Sequence, residues 1–185
     1  MACNLRPFRD YDEHDVVNLF ALQERVSYPL TKGHFVCFGV ANEGWKNTDE
    51  LARLGAVGGT YTNTVSERYG VNGRLYVASG TSTDVLGMTL YDAKETDENG
   101  EKFIFNPRKA AENDIVVSGQ AVPVVTRGIF LYSGSVLVSA NAKGGATLYV
   151  DNNGELTDSN SGGDIVGTTL GGLDANNHQL VRINL

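Results

Sequence analysis

A chain of 185 residues, 41% of them hydrophobic, can build one good core, or a core with a long extension, and is too short for two large domains. Its formal net charge of -7, with the basic residues scattered, argues against electrostatic binding to nucleic acid or an anionic membrane, which needs Lys and Arg to neutralise phosphate. The 22 glycines against only 4 prolines, together with three Asn-Gly pairs, read as many short strands joined by tight turns, so the expected fold class is mostly β.

In chain order, Met1 to Leu5 leads into Arg6, Arg9, Asp10, Asp12 and Glu13. That start has no apolar stretch of the kind a secretory signal needs, and no later run approaches membrane-spanning length, so the expectation is a protein made in the cytoplasm. Residues 1–31 mix apolar side chains with charges in no clean period, apart from Val16 to Leu22, which can form one strand. Phe8, Tyr11, Leu19 and Phe20 are a heavy apolar load for a terminal segment, and termini are poorly ordered unless something ties them down. The reading is an extended N-terminal arm, residues 1–31, followed by a β-rich domain, residues 32–185. An arm packed on its own domain is the alternative.

The run HFVCFGVA (34–41) is apolar on both alternating faces, as a strand covered on two sides should be. Cys37 within it reads as a small core residue, and its spacing from Cys3 suggests neither a disulfide framework nor zinc. Asn47, Glu50, Leu51, Leu54 and Gly55 spell a short capped helix of about two turns. A hairpin follows, turning at Asn72-Gly73. VLGMTLYD and EKFIF flank Asn99-Gly100 as a second hairpin with an acidic, solvent-facing tip of Asp92, Glu95, Asp97 and Glu98. The spacing falls short of a twelve-residue calcium loop. Asn106 and Pro107 open a helical turn ending near Asp114, with Arg108 and Lys109 on its solvated face. IVVSGQAVPVVTRGIFLYSG holds two or three strands, with Pro123 at an edge, a bulge or a strand start. GATLYVDNNGELT is the third hairpin, turning at Asn153-Gly154, and HQLVRINL alternates as a closing strand.

No reaction is declared. His14, His34 and His178 lack metal-ligand spacing, there is no GxSxG elbow, and the glycines from Gly162 to Gly172 lack the Lys-Ser/Thr of a phosphate-binding loop. A pair of carboxylates meeting only in space stays open, although a single tryptophan, Trp45, is a thin platform for sugar.

The block Val85 to Gly134, VLGMTLYDAKETDENGEKFIFNPRKAAENDIVVSGQAVPVVTRGIFLYSG, combines a hairpin, a short capped helical turn and strand-like runs, and it resembles the small β-rich decoration (cement) proteins on the heads of tailed double-stranded-DNA bacteriophages. The fold expected with it is a compact β-barrel or β-sandwich with two short helices and an extended N-terminal arm. The resemblance implies a structural protein, not an enzyme, that needs no cofactor or metal. It implies a place on the outer surface of the phage head, with the major capsid protein as partner, a homo-oligomer with a trimer as first expectation, and no nucleic acid or membrane partner. On that reading the capsid-binding residues are Phe8, Tyr11, Val17, Leu19 and Phe20. The alternatives are another phage structural protein, such as a tail or fibre component, or a β-sandwich carbohydrate-binding module.

Overall fold

The computed structural model describes residues 4–7, 12, 15–22, 30–39, 74–117, 120–133 and 144–185. In chain order its strands are β1 (Asn4–Pro7), β2 (Val16–Val17), β3 (Ala21–Leu22), β4 (Phe35–Phe38), β5 (Arg74–Val77), β6 (Val85–Thr89), β7 (Asp92–Ala93), β8 (Ile115–Val116), β9 (Val124–Val125), β10 (Arg127–Ser133), β11 (Thr147–Val150), β12 (Leu156–Thr157), β13 (Gly167–Thr169) and β14 (Gln179–Asn184). A 3-10 helix (Phe103–Phe105) and one α-helix, α1 (Pro107–Glu112), lie between β7 and β8. The protein is mostly β, as its glycine-rich, turn-rich composition implies, and its sheets curl into half-barrels. The short helix read at Asn47 to Gly55, the Asn72-Gly73 turn and Trp45 lie outside the described residues.

One sheet has the order β1-β10-β14-β13-β11-β12, all antiparallel. Its residues alternate as a one-faced sheet requires: Phe130 and Tyr132 of β10, and Gln179, Val181 and Ile183 of β14, are buried, while Arg182 and Asn184 face out. The second sheet has the order β2-β9-β6-β4-β5-β3. The main core draws Phe35, Cys37, Met88 and Val125 from this sheet and Phe130, Tyr132, Leu148, Val181 and Ile183 from the first.

The second sheet is buried on its other face as well. Leu22, Val36, Leu75, Val122 and Val124 form a second cluster with Leu30 and Val116, inside the curl. This explains the unbroken apolar run of β4, since Phe35 and Cys37 serve one core and Val36 the other. The curl is visible in the pairing of one short segment. Val16 and Val17 pair with Val125 and Val124, Ala21 bridges Ala121, and Ala21 and Leu22 also run parallel to Arg74 and Leu75 of β5. Pro123 sits immediately before β9, a strand start where its missing N–H costs no ladder bond.

The described parts of residues 1–31 are thus woven into both sheets. β1 pairs with β10 over four residues, and Ala21, Leu22 and Leu30 are buried.

The Asn99-Gly100 hairpin is also smaller than expected. EKFIF is not a strand, because Phe103 turns inward onto Ala110, Ile115 and Val117, and the chain enters the 3-10 turn directly. Only Thr96 and Lys102 bridge behind the loop. β6 instead pairs with β4 and β9, and β7 pairs in parallel with β8. α1 begins at Pro107 under an Asn106 side chain that accepts the Lys109 N–H at 3.3 Å, as the sequence reads.

Candidate functional site

Of the five residues expected to contact a partner, Phe8 and Tyr11 lie outside the described residues, and Val17 is a half-buried member of β2. Phe20 comes together with a residue that the sequence reading assigned to the core. After β2 leaves its pairing with β9, Leu19 stands 41% exposed, and Phe20 packs partly on the cluster inside the curl. Phe20 meets Phe38 edge to face, with ring centroids 5.2 Å apart and planes at 80°, and Phe38 is itself 40% exposed. Strand alternation puts Phe38 on the same side of β4 as Val36, so it extends the inner cluster outward to solvent. Phe20 and Phe38 therefore form one apolar pair that continues the inner cluster to solvent, and the exposed Leu19 precedes Phe20 in the chain. Periodicity could not separate Phe38 from its buried neighbours, because the strand is apolar throughout. A second exposed aromatic, Phe105, is 72% exposed just before α1.

The polar groups are engaged in holding loops. Asp97, Asp151 and Asp174 each open a loop with the same hydrogen-bond skeleton. In each, Oδ1 of the aspartate accepts the N–H groups two and four residues on, all at 2.8 Å. The residue three places on, Gly100, Gly154 or Asn177, has positive φ and donates its N–H to the carbonyl of that aspartate. These are type I turns closed by a left-handed residue. The side chain of Asp97 also accepts from Lys109, and that bond leads the causes holding its carboxyl below its usual value, followed by the N–H of Glu101. Lys109 is correspondingly raised, first by its bond to Asp97. Asp174 is lowered chiefly by the His178 N–H. The acidic tip is therefore not simply solvated charge: Asp92 accepts the Lys32 N–H at 2.8 Å and pairs with Lys94 at 2.7 Å.

His34 and Glu155 are both largely buried where the two sheets meet. Nδ1 of His34 lies 2.8 Å from the Thr31 carbonyl, and Nε2 lies 4.0 Å from Oε1 of Glu155. The Thr31 hydroxyl also lies 3.2 Å from Nδ1 of His34, so the histidine ties its own turn, through Thr31, to the hairpin that carries Glu155. Among the described residues, no three His, Cys, Asp or Glu side chains converge as a metal site would require, and no helix is long and apolar enough to cross a membrane. Arg108 pairs with Glu112 at 2.9 Å, and Lys109 with Asp97 and Glu101, so these two cations are each matched by carboxylates.

No protein-family model, curated protein or solved structure matches this chain.

Proposed function

We propose that this protein is a non-enzymatic structural component of a phage virion that binds the major capsid protein on the outer surface of the head and stabilises the shell. The observation that carries the reading is the apolar surface at Leu19 and at the Phe20–Phe38 pair, of which Leu19 and Phe20 lie on the segment first read as partner-binding. The resemblance of residues 85–134 to decoration proteins supports the same role. Phe8, Tyr11 and Val17 belong to the proposed contact as parts of that segment, and a homo-oligomer, first a trimer, would multiply modest contacts into stable occupancy. The role needs no cofactor, metal, nucleic acid or membrane.

We further infer that the curled sheet closes into a small barrel packed against the other sheet as in a sandwich. Supporting this, Ala21 meets β5 on one side and Ala121 on the other, and the main core is shared between the sheets.

The test is co-sedimentation of the full chain with assembled phage heads, alongside Leu19→Asp and Phe38→Asp variants whose folding is checked by circular dichroism. The expected result is saturable binding by the parent and loss of occupancy in folded variants, because each introduces a charge where apolar surface would be buried. Absence of binding to heads, or undiminished binding by both variants, would overturn the reading.

A further inference from the structure

The chain contains its own internal control for a chemical modification. Residues 97–101 read DENGE and residues 151–155 read DNNGE, and the two loops share the same turn, with Gly100 at φ 81° and Gly154 at φ 83°. We propose that Asn99 is a site of spontaneous deamidation in the folded protein, while the fold protects Asn153.

The backbone nitrogen of Gly100 attacks Cγ of Asn99. The N–Cγ bond forms as the Cγ–Nδ2 bond breaks, and ammonia leaves carrying the proton given up by the glycine nitrogen. Water then opens the cyclic imide at either carbonyl, leaving aspartate or isoaspartate at position 99. Glycine suits this step because no side chain hinders its nitrogen.

In the closed turn the Gly100 N–H donates to the Asp97 carbonyl at 3.1 Å, so attack proceeds through local opening. Opening is easy here. Glu98, Asn99 and Gly100 are exposed, nothing lies within 4 Å of where a Cβ on Gly100 would sit, and the loop is backed by one bridge and the half-exposed Lys109 side chain. The other loop is pinned under the second sheet. The Gly154 carbonyl accepts the Phe35 N–H at 2.8 Å, and Gly154 is walled by Val77 and the carbonyls of Phe35 and Ala78. Nδ2 of Asn153 also donates to Asp151 at 3.3 Å, and Glu155 and Leu156 behind it are buried. Opening that loop means undocking the hairpin.

The product adds one negative charge beside Asp97, Glu98 and Glu101, on a chain already at -7. Isoaspartate also lengthens the main chain by one atom, so the Asp97 carboxylate can no longer hold both the residue 99 and residue 101 N–H groups. The Lys109 side chain, bonded to Asp97 and 3.6 Å from Glu101, is the cation that faces this extra charge.

The experiment incubates the full chain at mildly alkaline pH, in buffer and in concentrated urea, and follows both peptides by mass spectrometry with enzymatic detection of isoaspartate. In buffer, Asn99 should convert at least about tenfold faster than Asn153, the ratio given by an extra opening cost of about 1.4 kcal/mol on the docked loop. In urea the two should convert at similar rates, and Asn99→Gln should abolish the first product. Equal rates in buffer, an Asn99 that stays intact, or an Asn153 that still lags in urea would each overturn the proposal.

Discussion

The loops at Asp97–Glu101 and Asp151–Glu155 have nearly the same five residues, the same aspartate bridging two backbone N–H groups at 2.8 Å, and the same left-handed glycine, yet one is open to solvent and the other lies at the junction of two sheets. Local sequence sets the shape of such a loop, because the aspartate and glycine satisfy the turn on their own. What the loop does for the molecule depends on what reaches it from elsewhere in the chain. For the second loop those are Phe35, Val77 and Ala78, more than seventy residues away in sequence; for the first it is Lys109, only twelve residues on.

The largest effect that distinguishes the loops is expected from glycine replacement. Gly154→Ala adds a Cβ at positive φ that would sit 2.5 Å from Val77 Cγ1, so strain and overpacking together should cost roughly 2 to 4 kcal/mol. Gly100→Ala meets open space and carries only the conformational penalty, about 1 to 2 kcal/mol. Urea denaturation of both variants measures the difference, and equal losses would mean that the hairpin is not docked as described. Next in size, Asp151→Ala strands the part-buried N–H of Glu155 beside the core and should cost about 1 to 3 kcal/mol, with Asp97→Ala milder because water can replace its bonds to exposed N–H groups. Thermal melts showing the reverse order would contradict the comparison.

The smallest effect is in the pH dependence. Asp97 has a folded pKa below its unfolded value, so its contribution to stability is present above the unfolded pKa and is lost as the solution is acidified through the folded one, below about pH 4. Lys109 is raised, so its share is present below its unfolded pKa and fades only as alkali passes the folded one. Asp97→Asn should flatten the acid limb slightly, read from melting temperature against pH. An unchanged limb would show that the pair with Lys109 is screened out in solution.

Much of the body was legible from residue patterns. The two-sided strand at Phe35–Phe38, the capped turn at Asn106-Pro107, the turn at Asn153-Gly154 and the alternation of Gln179–Asn184 all follow from period, cap and turn chemistry. Partners were not legible. EKFIF carries a strand's composition, but Phe103 is drawn into the small cluster around α1. The pairing of β1 to β3 with β10, β9 and β5 depends on contacts between residues far apart in the chain, which no local pattern encodes. The third aspartate loop, Asp174–His178, went unseen because Asn177 stands where the other two have glycine. For the candidate surface, the apolar load at Leu19 and Phe20 was visible, whereas Phe38 could be found only once Phe20 was seen against it.

The parallel pairing of β7 with β8 has a practical consequence. Asp92 lies opposite Ile115, and the Asp92 N–H donates to the Asp114 carbonyl at 2.9 Å, so the chain leaves the main sheets and returns to them at one place. Everything between packs through Phe103 and Ala110 onto Ile115 and Val117 at the returning strand. Residues 95–113 thus form a cassette: a foreign peptide with neighbouring ends can be grafted between those two strands, for display or labelling, without re-threading either sheet.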